Sequence, residues 1–345
     1  MCFWFHSRFR INSLLYFILF VTLSIITNRT FNFLSPQVVD LVELSTCPIC
    51  YGTTACDHIF NENLMIHPFD FHSLLSHLFN RKNVFYGTIN GTRVAIKKLA
   101  HSYELDAFDD MLCQSIEFKK FCRKDQNYNN EVNSNYNIDF LGKIETAVSP
   151  KFFEDDESGL VLCPTTSHLE QVISQLKMNE IHLWTLIKIN PEPLILQILQ
   201  ADEGWPVAKY YGACGRVVIE EYVGPPLTTY YNKPWYRRAR IAINLLEAAY
   251  MFTFHNHDFS FYLTDLSSDN IAIDQNDAPK FIDLENVIIL NRNISEKEKP
   301  TNWYHLHRSE NIINCDDCFS FSPIDICSHS LSDHNYFATC QVSSI

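Results

Sequence analysis

Glycine is scarce, nine in 345 residues, and basic residues are outnumbered, 27 against 40 acidic ones. The shortage of glycine leaves little material for a backbone loop that approaches phosphate closely, because side chains obstruct that approach. The net charge of −13 argues against a nucleic-acid surface, which needs a basic footprint. No internal repeat is present. Apolar material is plentiful: hydrophobic residues make up 46% and aromatics 14%, enough for one large domain or two modest ones.

One apolar run stands out. Arg8 and Arg10 precede Ile11–Thr27, which at about 17 residues sits at the short limit for a membrane-spanning helix. Positive charge before the run keeps that end in the cytosol. The sequence after it, Ile26-Thr27-Asn28-Arg29, offers no small-x-small cleavage site, so an uncleaved signal anchor is expected. That gives a cytosolic tail over 1–10, a single-pass type II anchor over 11–27, and a luminal body beyond.

Twelve cysteines fit the same compartment, eleven of them after the run. An oxidising lumen would pair most of them, and an odd number leaves at least one over. Cys47-x-x-Cys50 and Cys315-x-x-Cys318 also have the spacing of a tetrahedral zinc site. Cys47-Pro-Ile-Cys50 resembles a thiol-redox motif too, although Ser45-Thr46 and Tyr51-Gly52 around it read as loop. The anchor favours disulfides over both. Asn28-Arg-Thr, Asn90-Gly-Thr and Asn293-Ile-Ser are glycosylation acceptors in a lumen.

Residues 28–82 read as a cysteine-containing segment with a helical stretch around His72–Phe79, and 83–345 as the main domain. Asn83–Tyr86 and Thr92–Leu99 read as strands joined through Ile89-Asn90-Gly91, a hairpin signal. The Asn-, Asp- and Glu-rich stretch 123–160 reads as a surface insertion. Helical periodicity spans His168–Leu199. A second strand pair, Val207–Tyr211 and Arg216–Tyr222, ends at the breaker Gly224-Pro225-Pro226. Trp235–Phe254 is a long amphipathic helix. Short strands Ile271–Ile273 and Lys280–Ile282 flank a polar turn.

Phosphoryl transfer from ATP needs a cation on the phosphates, ligands for metal, and a carboxylate near the incoming hydroxyl. The chain has a candidate for each. Val94-Ala-Ile-Lys97 reproduces the third-strand motif of protein kinases. Leu263-Thr264-Asp265-Leu-Ser-Ser-Asp-Asn270 resembles the catalytic loop, with Asp265 as base and Asn270 as metal ligand. Phe281-Ile-Asp283 places a second metal carboxylate at a strand end. The helix glutamate that should meet Lys97 is assigned to Glu192 by its distance to the hinge-like Glu221-Tyr-Val, with Glu117 and Glu170 left open. Lys97, Glu192 and Glu221 form the expected nucleotide-binding set.

The chain resembles the Deleted in Autism family of divergent protein kinases (divergent protein kinase domain 2). The resemblance rests on Cys47-Pro-Ile-Cys-Tyr-Gly-Thr, Asn190-Pro-Glu-Pro-Leu, Asp202-Glu-Gly-Trp-Pro, Tyr211-Gly-Ala-Cys-Gly-Arg216, Asp283-Leu-Glu-Asn-Val and Asp333-His-Asn-Tyr-Phe-Ala-Thr-Cys340. It implies an α+β, divergent two-lobed protein-kinase-like fold, cysteine-stabilised, in the Golgi or endoplasmic reticulum membrane or secreted. It further implies ATP with Mg²⁺ or Mn²⁺ as cofactor and luminal or secreted proteins as partners. The departures matter. Asn80–Tyr86 holds no glycine, Leu263-Thr264 replace His-Arg, Leu284-Glu285 replace Phe-Gly, and no Ala-Pro-Glu follows. Only 62 residues follow Asp283, so the peptide-docking part is expected to be reduced or rebuilt around Cys315–Cys340. These features keep open a rival reading, a pseudokinase acting as a secreted or membrane-bound ligand or scaffold.

Overall fold

The computed structural model describes residues 38–61, 64–67, 84–122, 138–150, 159–173, 178–310 and 321–342, with 22 and 176. The apolar run Ile11–Thr27 and the stretch His72–Phe79 therefore lie outside the described residues, apart from residue 22. No helix among the described residues is long and apolar enough to cross a membrane.

Along the chain run β1 (Met65–Ile66), β2 (Val84–Ile89), β3 (Thr92–Lys97), α1 (Ser102–Gln114), α2 (Phe140–Ala147), β4 (Leu160–Cys163), α3 (Glu180–Ile189) and α4 (Glu192–Ile198). They are followed by β5 (Tyr210–Cys214), β6 (Val217–Glu221), α5 (Trp235–Phe254), β7 (Phe259–Leu263), β8 (Ile271–Ile273), β9 (Pro279–Phe281), β10 (Val287–Asn291) and α6 (His334–Val342). The fold is mixed α and β.

Five strands form one sheet in the order β1-β2-β3-β6-β5. The hairpin β2–β3 turns on Asn90 (φ 50°) and Gly91 (φ 81°). Two successive left-handed residues match the twist of a tight hairpin, and Asn-Gly tolerates that backbone best. Side chains alternate across the sheet. Val94, Ile96, Val217 and Ile219 point to one face, where they pack with Val42, Ala55 and Ile59. The disulfide Cys56–Cys214 fastens this N-terminal cover to β5. The opposite face carries Ala95, Lys97, Val218 and Glu220, as the β3–β6 pairing Ala95↔Glu220 and Lys97↔Val218 requires.

The rest packs around α5, whose Ile241, Leu245, Ala248 and Phe252 are buried at helical spacing. Phe252 contacts Trp205 (ring centroids 5.9 Å) and Phe281 (5.1 Å). A three-stranded sheet β4-β10-β7 and the hairpin β8–β9 complete this part. Cys163–Cys327 ties β4 to the helix Pro323–Cys327 near the C-terminal end.

One expectation needs correction. Part of the polar stretch assigned to a surface insertion forms α2, whose Phe140 and Ile144 are buried together with Val148. Their four-residue spacing is a helical signal hidden by the polar residues around it. Cys47 bonds to Cys50, in line with the expected disulfides and not with half of a zinc site. Cys315 and Cys318 lie outside the described residues.

Candidate active site

Lys97 closes β3, and its side chain points along the sheet's inner face toward the start of α4. That helix begins at the Asn190-Pro-Glu-Pro segment. The Asn190 carboxamide oxygen accepts the Glu192 backbone N–H at 2.9 Å, and Pro193 sits in the first turn, where a missing N–H does no harm. Glu192 is thereby fixed at the helix start. Its Oε1 lies 2.6 Å from Lys97 Nζ across 95 residues of sequence. The structure does not bring Glu117 to Lys97; its partner is Lys143, at 2.8 Å.

Lys97 has two further oxygen neighbours. Glu220 Oε2 stands 2.9 Å from Nζ, and the Ile282 carbonyl accepts from it as well. The three side chains are nearly enclosed, with 9% of Lys97, 2% of Glu192 and 1% of Glu220 exposed. Burial opposes the lysine's charge, but Glu192, Glu220 and Asp283 outweigh it and hold its pKa above the ordinary value. Burial also pushes both glutamates above the usual carboxylate range. Glu192 is raised further by Glu220, and Lys97 opposes the rise in each. One ammonium does not offset two enclosed carboxylates and a third nearby.

The loop segments opposite Lys97 are stitched together through backbone. Thr264 donates from its N–H and its hydroxyl to the Asn286 carbonyl, at 3.1 and 3.2 Å. Ile282 N–H donates to the Asn270 carbonyl at 3.0 Å, and the Asn270 side chain donates to the Asp265 carbonyl at 3.3 Å. These bonds hold Asn270 and Asp283 in the cavity wall; Asp265 is exposed and does not line the cavity, although its charge reaches Asp283. Burial raises the Asp283 pKa, as Asp265 does, while Lys97 pulls it down. Leu284, in place of the kinase phenylalanine, is buried in the core. Glu285 turns inward, takes a 2.6 Å hydrogen bond from Asn190 Nδ2, and is pushed up to about 7 by burial, Asp283 and Asp265.

The enclosed space has a volume of about 740 Å³, lined among others by Val84, Ala95, Lys97, Tyr222, Ala272 and Asp283. Apolar side chains and charged ones share the wall, and carboxylates such as Glu192, Glu220 and Asp283 outnumber the lysines, so an anionic ligand would need a cation beside it. The Glu221 carboxylate is paired with Lys280 at 2.7 Å and accepts from the Lys209 N–H at 3.2 Å. Glu221 therefore borders the cavity with its carboxylate already engaged.

The sequence reading missed Glu220, Asn190 with Glu285, and the support behind the Asp265 loop. That support comes from α6. Asn335 accepts the Leu263 N–H at 3.1 Å and donates to the Phe261 carbonyl and the Thr253 hydroxyl. His334 Nε2 contacts the Leu263 carbonyl at 2.8 Å. Both residues are buried and grip the strand that leads directly into Asp265. Asn335→Ala is expected to destabilise the fold by about 2–4 kcal/mol, because it strands buried backbone groups of β7. Chemical denaturation measures this, and a loss under about 0.5 kcal/mol, typical of a surface change, would rule out the clamp.

Comparison with known proteins places these features in context. A family profile described as "Protein-kinase domain of FAM69" matches residues 183–343. Divergent protein kinase domain 2A of Xenopus tropicalis is 34% identical over 325 residues, covering 87% of this chain and 73% of its own length. The Homo sapiens protein of that name is 33% identical over 324 residues, with coverage of 87% and 74%. Divergent protein kinase domain 2B of Mus musculus is 24% identical over 261 residues, covering 68% and 57%.

Proposed function

The chain belongs to the divergent protein kinase domain 2 family, and from that premise we propose that it binds ATP with Mg²⁺ or Mn²⁺ in a two-lobed kinase arrangement and phosphorylates luminal or secreted proteins. The observation that carries the reading is the Lys97–Glu192 pair at 2.6 Å, which shares one cavity with Asn270 and Asp283. In this reading Lys97 contacts phosphate, and Asn270 and Asp283 hold the metal. Their oxygen donors suit a hard divalent cation, which commonly takes one or two carboxylates and completes its shell with substrate phosphates. Bound there, the metal would neutralise phosphate charge. Asp265 accepts the proton of the substrate hydroxyl as the terminal phosphoryl group of ATP passes to that oxygen and ADP leaves. The setting is the Golgi or endoplasmic reticulum lumen, with the body held by the N-terminal anchor or secreted.

A rival reading has a specific observation behind it. Residues 67–83, which connect β1 to β2, contain no glycine, and that connection is where a kinase places its phosphate-covering loop. On this reading the chain is a pseudokinase that serves as a secreted or membrane-bound ligand or scaffold.

Thermal unfolding with ATP and Mn²⁺ separates the two. Ligand at about a hundredfold excess over Kd is expected to raise Tm by several degrees, and Asp283→Ala to remove the shift. An absent shift, or one that Asp283→Ala leaves intact, would sink nucleotide binding at this site. Phosphate transfer lost in Asp265→Asn while the thermal shift survives would establish the enzyme.

A further inference from the structure

Glu220 has no counterpart among the parts that phosphoryl transfer needs, yet it lies against the central cation. It stands on β6, opposite Ala95 in the pairing, so its side chain shares the face of Lys97 and reaches it diagonally. An ammonium group has three N–H donors and no more. Around Lys97 Nζ there are three protein oxygens: Glu192 Oε1 at 2.6 Å, Glu220 Oε2 at 2.9 Å and the Ile282 carbonyl. Two donors go to Glu192 and Ile282 and the third side faces Glu220, so a phosphate would have to displace one of these oxygens.

A second observation concerns the other carboxylate oxygen. Glu220 Oε1 is buried and has no hydrogen-bond partner among the described residues. Enclosed carboxylates are normally satisfied at both oxygens, and an unmet one is a standing penalty. Glu220 is therefore poorly accommodated by everything except Lys97. Its charge also lines the same cavity as Lys97, and like charges in an enclosed site repel strongly.

We propose that Glu220 is a built-in competitor for phosphate at Lys97, a positioning residue that holds the cavity in a low-affinity state. This rests on the reading of Lys97 as the phosphate contact. Binding of a polyphosphate requires Lys97 to release one of its three oxygens, and the half-satisfied Glu220 is the one whose release also relieves repulsion. The metal-ligand candidates, Asn270 and Asp283, are untouched by that exchange.

The test is equilibrium binding of two probes, ATP with Mn²⁺ and inorganic tripolyphosphate with Mn²⁺, to the full chain and to Glu220→Leu and Glu220→Gln. The second variant is isosteric and guards against misfolding of the first. Asp202→Asn, an exposed carboxylate paired with Lys209, controls for net charge. Glu220→Leu is expected to bind both probes about tenfold more tightly, the worth of one charge-assisted hydrogen bond. Glu220→Gln should gain less, since its amide oxygen still accepts from Lys97. Unchanged or weakened binding of both probes in both variants, or an equal gain in Asp202→Asn, would overturn the proposal. A gain for tripolyphosphate with ATP binding no better than tripolyphosphate would support the role of Glu220 while counting against a nucleotide site.

Discussion

Replacing Lys97 by methionine is expected to destabilise the fold by about 3–5 kcal/mol, the usual consequence of removing one partner from a buried charge group. Glu192 and Glu220 are then left enclosed with no cation between them, beside Asp283. The pH dependence gives the effect a signature. Both glutamates already have pKa values above the ordinary 4.5. A carboxylate raised by folding contributes stability that is present below its unfolded pKa and lost as pH rises through its folded pKa. The variant's deficit should therefore be larger at pH 8 than at pH 5. In the parent, Lys97 is raised above 10.5, so its own contribution persists to alkaline pH. Urea unfolding across that range measures the difference. Lys97→Met combined with Glu192→Gln should recover much of the loss. A Lys97→Met protein as stable as the parent at pH 8 would show that the cluster is not closed as described. Loss of activity in this variant would mix a missing phosphate contact with a weakened fold, so Asp265→Asn is the cleaner probe of chemistry.

Removing the Cys56–Cys214 bond, as Cys56→Ser with Cys214→Ser, should destabilise the protein by up to about 5 kcal/mol. The bond closes a loop across a sequence separation of 158 residues, and the entropy withheld from the unfolded chain grows with the logarithm of loop length. It also fastens the N-terminal cover whose Val42, Ala55 and Ile59 seal one face of the five-stranded sheet. Without it, the cover is held by apolar contact and by hydrogen bonds such as that from the Ala55 N–H to the Ala213 carbonyl at 2.8 Å. Calorimetry or denaturant titration reads the difference, and a loss below about 1 kcal/mol would mean that the unfolded chain is not restrained as the loop model requires.

How much of this could be read from residues alone depends on the kind of signal. The hairpin at Asn90-Gly91 and the helix Trp235–Phe254 were legible because turn chemistry and helical periodicity are local. Glu192 was legible through its distance to the hinge-like strand, with Pro193 beside it acceptable only because a first helical turn tolerates proline. Helix α1 gave a weak pattern, with only Leu105 and Leu112 buried among acidic neighbours. Strands β4, β7 and β10 are short apolar runs that periodicity cannot tell from buried helix. Glu220 was hidden for a different reason. Its neighbour Glu221 looks the same in sequence, and only the register of β6 on β3 decides which of the two faces Lys97. The Asn335 clamp was hidden because it joins segments 72 residues apart, and nothing local marks an asparagine as a support for a distant strand.

The two long-range disulfides among the described residues have a topological result that follows from their order. One joins residues 56 and 214 and the other joins 163 and 327, so their spans overlap. A single cut in the backbone anywhere between residues 56 and 327 therefore leaves two fragments linked covalently. Proteolytic nicking of the mature protein would be invisible on a gel run without reductant and would appear as two bands once thiols are added. A nicked molecule kept under oxidising conditions thus persists as one particle, with the elements around Lys97 and Asp283 still joined by the sulfur bridges.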